Sequence, residues 1–139
     1  MFQSKKIFLP ILLFVITAAI FPVPLSAENI RLRIMAANLT TGNYQSYEDP
    51  AKRIFQGLQP DVVLIQEFNV GDNTAQETTA FVSDAFGSSF SWFREPGNEQ
   101  IPNGIISRWP ILASGEWNDP EVSNRDFAWA RLDIPGRRG

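Results

Sequence analysis

Val62, Val63, Leu64 and Ile65 stand between Pro60-Asp61 and Gln66-Glu67. Four apolar residues in a row are too few for a buried helix, so the run reads as a strand covered on both faces. Such a strand needs layers on two sides, and the preceding chain offers one of them. Asp49-Pro50 opens a helix as N-cap and first-turn proline, and Ala51, Ile54, Phe55 and Leu58 give the i, i+3, i+4, i+7 stripe that would pack on a sheet. Pro60 ends that helix. Earlier still, Ile30, Leu32, Ile34 and Ala36 alternate with Arg31, Arg33, Met35 and Ala37, the period-two pattern of a strand with one buried face. Asn38 ends this strand on the same parity as the buried set.

Beyond Glu67, Thr74 and Glu77 have the spacing of a capping box for a second helix, which runs to about Phe86 and stops at Gly87. Residues 90–93, 104–107, 111–117 and 127–134 read as strands, with loops at 95–102 and 118–124. A β-α-β-α start followed by a run of strands predicts an α/β fold. The expected architecture is the front part of a four-layer α/β sandwich, two packed β-sheets flanked by helices. It is incomplete at the carboxyl end, because the last strand leads only into residues 135–139. An exposed apolar sheet face is expected for the same reason.

Composition narrows the chemistry. The 139 residues are 44% hydrophobic and 19% charged, which fits a folded core and excludes a disordered tail or a rod. There is no cysteine, so thiolate zinc sites and disulfides are excluded. There is no histidine either, and with it go the imidazole-based triads. Carboxylates, amides, guanidinium groups and metals remain. The formal net charge of −3 lacks the basic footprint of a protein that binds nucleic acid by neutralising phosphates, although a bound cation would supply positive charge to an acidic nuclease.

Residues 1–27 have signal-peptide anatomy: Lys5-Lys6, an apolar stretch over 7–21, then Pro22, Pro24 and Ser26-Ala27. The stretch is shorter than the roughly 20 residues of a membrane span. Cleavage after Ala27 is expected. It leaves residues 28–139 as the working part, secreted or periplasmic, with no stable membrane span.

Four segments occur in order: Ile34-Met35-Ala36-Ala37-Asn38-Leu39, Pro60-Asp61-Val62-Val63-Leu64-Ile65-Gln66-Glu67, Asn103-Gly104-Ile105-Ile106-Ser107-Arg108-Trp109-Pro110-Ile111, and Asn124-Arg125-Asp126-Phe127-Ala128-Trp129-Ala130-Arg131-Leu132. Together they resemble the amino-terminal portion of the endonuclease/exonuclease/phosphatase superfamily, the deoxyribonuclease-like metal-dependent phosphoesterases. The resemblance implies a hydrolase of phosphate esters that uses Mg²⁺, or another divalent cation such as Mn²⁺ or Ca²⁺. It also implies that Glu67 is a metal ligand and that Asn38 helps hold the metal or the scissile phosphate.

The residues read independently in the same direction. A glutamate at the end of a buried strand and an asparagine at the end of its neighbour are hard oxygen donors of the kind Mg²⁺ accepts, with water and substrate phosphate completing the shell. The structural alternatives are a capping or ion-pairing role for Glu67 and a turn role for Asn38. Asn38-Leu39-Thr40 is also a glycosylation sequon. In the family resembled, the strand that Asn103-Gly104 opens borders the cleft, which implies that Asn103 donates to a substrate phosphate oxygen; turn chemistry explains the pair almost as well. Arg125 suits a bidentate phosphate contact, or an ion pair with Asp126. Trp92, Trp109, Trp117 and Trp129 read as core and rim packing in preference to a base-stacking set.

The histidines of the family's mechanism have no counterpart here, so turnover is not expected of this chain as it stands. The expected function is a divalent-metal-dependent phosphoesterase, incomplete as given. The alternative is a non-catalytic secreted binding module on the same fold. The expected partner is a phosphate-ester substrate of nucleic-acid, lipid or small-molecule type, and no protein partner is implied.

Overall fold

Two strands of the first sheet run parallel. β1 (Ile34–Asn38) pairs with β2 (Val62–Gln66), Ala36 opposite Leu64 and Asn38 opposite Gln66. Between them the chain crosses over through α1 (Glu48–Leu58), as a parallel connection requires. The structure, a computed structural model, describes residues 29–39, 46–97, 101–122 and 126–136. The expected signal segment, Thr40 of the sequon and Arg125 lie outside these residues. No described helix is long and apolar enough to cross a membrane.

After β2 come α2 (Ala75–Phe86), β3 (Ser91–Arg94) and β4 (Gly104–Ser107). β4 lies antiparallel to both β2 and β3, so the sheet order is β1-β2-β4-β3. β5 (Ile111–Trp117) and β6 (Phe127–Leu132) form a second, antiparallel sheet with a register shift between Ile111 and Ala113. β6 meets β4 and β5 meets β3. The fold is mixed α/β, with sheet against sheet and both described helices packed on the first sheet.

The core lies between the first sheet and the helices. Phe55 of α1, Phe81, Val82 and Ala85 of α2, Val63 and Ile65 of β2 and Ile106 of β4 are buried together, and Met35, Ala37 and Trp92 pack against them. Phe81 makes edge contacts with Phe55 and Phe68, at 6.5 Å and 6.3 Å between ring centres. Lys52 of α1 joins the helices through an ion pair from Nζ to Asp84 Oδ2 of α2 at 3.0 Å, and pairs within α1 with Asp49 Oδ1 at 3.4 Å.

Four expectations need correction. The parity of β1 is inverted: Met35 and Ala37 face the helix-covered core, while Ile34, Ala36 and Asn38 are exposed on the other face. Both residue sets are apolar enough to be buried, and the helices took the one with Met35. β2 is not covered on both faces throughout, because Leu64 lies on that same open face and remains 48% exposed. In α1 only Ala51 and Phe55 turn inward; Ile54 and Leu58 are exposed, and the N-cap is Tyr47, not Asp49. Trp117 is 67% exposed on β5, so it is no core residue. The capping box and the Gly87 stop of α2 occur as expected: the Thr74 side chain accepts from Glu77 N, and Gly87 has φ +100°.

Candidate functional site

Asn38 is the last residue of β1, and Glu67 follows the last residue of β2. Parallel pairing therefore places both at one end of the sheet, the carboxyl end, where crevices in open α/β sheets form. The two side chains meet. Asn38 Nδ2 donates to Glu67 Oε1 at 3.1 Å, across 29 residues of sequence.

Glu67 has φ +54°, the left-handed region that a side chain adopts at a cost. Its neighbours hold it there. Phe68 is fully buried, and its N–H donates to Pro102 O at 2.7 Å. Arg94 Nε donates to Phe68 O at 2.7 Å, and Arg94 Nη2 to Asn69 Oδ1 at 3.0 Å. The Phe68 ring also lies over Gly104, where an added Cβ would come within 2.4 Å of Phe68 Cδ1 and 2.7 Å of Phe93 O. Gly104 is thus explained by this close approach, a reason distinct from turn chemistry.

Asn103 stands across the same opening. Its backbone N–H and Nδ2 donate to the two carboxylate oxygens of Glu95, and Nδ2 also donates to Asp126 O at 2.8 Å. Glu95 is 1% exposed, so these bonds supply the partners that a buried carboxylate requires. Asp126 is held in turn, its Oδ1 accepting from Asp119 N at 3.1 Å. Asn38, Glu67, Asn103, Asp126, Ile101 and Phe127 wall a cleft of about 320 Å³. A neighbouring hollow of about 590 Å³ continues over Leu64, Ile105 and Ala128. A larger cavity, of about 670 Å³, lies at the opposite end of β2 beside Asp61.

Three of the four expected site residues, Asn38, Glu67 and Asn103, therefore share one cleft; the position of Arg125 is not described. Glu95 and Asp126 belong to the cleft's framework, and sequence reading alone does not single them out as site residues. Glu95 becomes legible only with the register of β3 on β4, which sets Arg94 opposite Gly104 and so brings Glu95 to Asn103.

Among the described residues no group of three or more His, Cys, Asp or Glu side chains is gathered as a metal site. At the strand ends the cleft offers the Glu67 carboxylate and the amide oxygens of Asn38 and Gln66 as hard donors. That set fits Mg²⁺, which binds through one or two carboxylates and retains water and phosphate oxygens.

No protein-family model matches the chain, and no curated protein matches it. Solved structures do. A truncated TDP2 from Caenorhabditis elegans superposes with a TM-score of 0.59 at 14% identity, covering 76% of this chain and 42% of its own. The 3′ phosphatase NExo from Neisseria, solved with a product DNA hairpin, gives 0.52 at 15% identity over 73% of this chain and 38% of its own. An endonuclease/exonuclease/phosphatase family protein from Leptotrichia buccalis gives 0.52 at 15% identity over 77% and 50%. The chain spans half or less of the length of each. At these identities the likeness is one of fold, and over the part it covers this chain has the endonuclease/exonuclease/phosphatase fold.

Proposed function

We propose that this chain carries the metal corner of a divalent-metal-dependent phosphoesterase, with Glu67 as the ligand, Asn38 beside it and a phosphate ester in the cleft. The observation that carries this reading is the Asn38–Glu67 hydrogen bond at the open carboxyl end of two parallel strands. When bound, the cation supplies charge to polarise a phosphoryl oxygen and to stabilise the leaving oxyanion. The chain's own residues do the placing. Glu67 contributes the anionic charge, and its backbone is fixed by the burial of Phe68. Asn38 holds one carboxylate oxygen and so orients the other. Asn103, clamped by Glu95 and Asp126, keeps the opposite wall at its distance. The sequence has no histidine, so no residue of this chain takes the imidazole role in activating water. In the same reading Arg125 contacts a substrate phosphate.

The test is a titration of the protein with Mg²⁺, Mn²⁺ and Ca²⁺, followed by calorimetry. Glu67→Gln keeps the shape and the hydrogen bond while removing the charge, so Mg²⁺ affinity falls at least roughly tenfold, about 1.4 kcal/mol, with little change in melting temperature. In any longer form that hydrolyses a generic phosphodiester, the loss is on the order of 3 kcal/mol, a hundredfold in rate. An unchanged Mg²⁺ midpoint in Glu67→Gln would remove Glu67 from the site and the proposal with it.

A further inference from the structure

Arg31, Arg33 and Arg108 converge on the cavity of about 670 Å³ at the amino-terminal end of the parallel strands. This is the end opposite the Asn38–Glu67 cleft. The length of β2 separates the two, about 16 Å at strand rise. In a protein of net charge −3, three guanidinium groups on one cavity against a single lining carboxylate form a local positive field.

That carboxylate, Asp61, is already occupied. Its Oδ2 accepts from Arg33 N at 2.9 Å and its Oδ1 from Arg108 Nη1 at 3.2 Å. Arg33 is steadied by donating from Nη1 to Leu58 O at 3.3 Å. The Arg31 side chain has no hydrogen-bond or ion-pair partner among the described residues, and the Arg108 side chain is 64% exposed. The cavity therefore holds more cationic donors than its own anion uses.

The other wall is aromatic. Phe55, Phe86 and Phe90 form a row, with ring centres 5.0 Å apart for the first pair and 5.2 Å for the second, and tilts near 30°. Phe86 and Phe90 are only half-buried, so part of each ring faces the cavity. Guanidinium forks opposite a ring surface match a ligand with a phosphate at one end and a flat ring at the other. We propose that this cavity binds a nucleoside monophosphate, its phosphate on Arg31, Arg33 and Arg108 and its base against Phe86 and Phe90. The site is independent of the cation at Glu67.

Calorimetric titration of the full chain with AMP, adenosine and inorganic phosphate, in chelator without divalent cation, tests it. AMP is expected to bind at least roughly tenfold tighter than either fragment, because it engages both walls. Arg31→Glu touches no described partner and should weaken AMP at least tenfold without lowering the melting temperature. Phe90→Leu should weaken AMP while leaving inorganic phosphate unchanged. Inorganic phosphate binding as tightly as AMP would reduce the cavity to a plain anion site and overturn the proposal. So would AMP binding that requires added Mg²⁺, AMP binding indifferent to Arg31→Glu, or no binding at millimolar AMP.

Discussion

Glu67 pays for its position in backbone strain. A left-handed residue other than glycine costs about 1–3 kcal/mol and persists only where its surroundings over-determine it. Here they do so through Phe68, sunk among Phe81 and Trp92, and through the Arg94 bonds to Phe68 O and Asn69. At the other end of β2, Asp61 is held by the Arg33 amide and by Arg108, and only 9% of it is exposed. The residue that opens the strand is thus a structural acceptor. Asp61→Ala should cost on the order of 1–3 kcal/mol in urea unfolding, because Arg33 N loses its side-chain acceptor there. The Mg²⁺ midpoint should stay unchanged, since Asp61 lies a strand's length from Glu67. A shift in that midpoint would place Asp61 among the metal's ligands and contradict the metal site proposed at the carboxyl end.

The two helices are secured differently. α1 has no side-chain cap; its first residue, Glu48, instead uses Oε1 to accept from Gly71 N at 2.9 Å, fastening the loop that follows Glu67. α2 is closed by its own sequence. Thr74 and Glu77 cap each other, and Glu77 Oε2 accepts from Thr74 N, Thr74 Oγ1 and Asp72 N. The Thr74 hydroxyl, then the backbone N–H groups, hold the Glu77 carboxyl below its ordinary pKa. A carboxyl depressed in the folded state stabilises most above its unfolded pKa, and this contribution is lost as pH falls through the lower folded value. Loss of the Thr74 N-cap in Thr74→Ala should cost about 1 kcal/mol at neutral pH, and loss of the hydroxyl that holds Glu77 should flatten the acid side of the stability profile. Denaturant unfolding across a pH series measures both. An equal acid slope in parent and variant would show that Glu77 is not the group responsible.

At the scale of the molecule, among the described residues a four-stranded sheet faces a two-stranded one, and part of the larger sheet is exposed. Ile105 and Ser107 of β4 are buried, whereas Ile34 of β1 at 63% and Leu64 of β2 at 48% stay exposed. Trp117 and Phe127, paired across β5 and β6, are exposed as well. Apolar surface of this kind associates. The protein should show a mass that rises with concentration in sedimentation, and Leu64→Lys, which places a charge in the middle of the open face, should shift it towards the monomer. One constant mass over a hundredfold concentration range would mean that this face is not sticky.

What the sequence determined by itself is what neighbours along the chain decide. The apolar run of β2 is bounded by Pro60-Asp61 and by the polar Gln66-Glu67, and α2 carries its start at Thr74-Glu77 and its stop at Gly87, so both are legible without a fold. The oxygen chemistry of Asn38 and Glu67 was legible too, because residue type at a strand end is local information. Which face of β1 is buried was not, since Ile34-Ala36 and Met35-Ala37 are both apolar enough and only the packing of α1 and α2 chose between them. The same holds for α1, where Phe55 went inward and Leu58 outward. Bringing Asn38 to within 3.1 Å of Glu67, and Glu95 to Asn103, required the parallel register of β1 on β2 and the antiparallel register of β3 on β4. Register is fixed by cross-strand packing between residues distant in sequence, so the tertiary structure alone assembled the cleft.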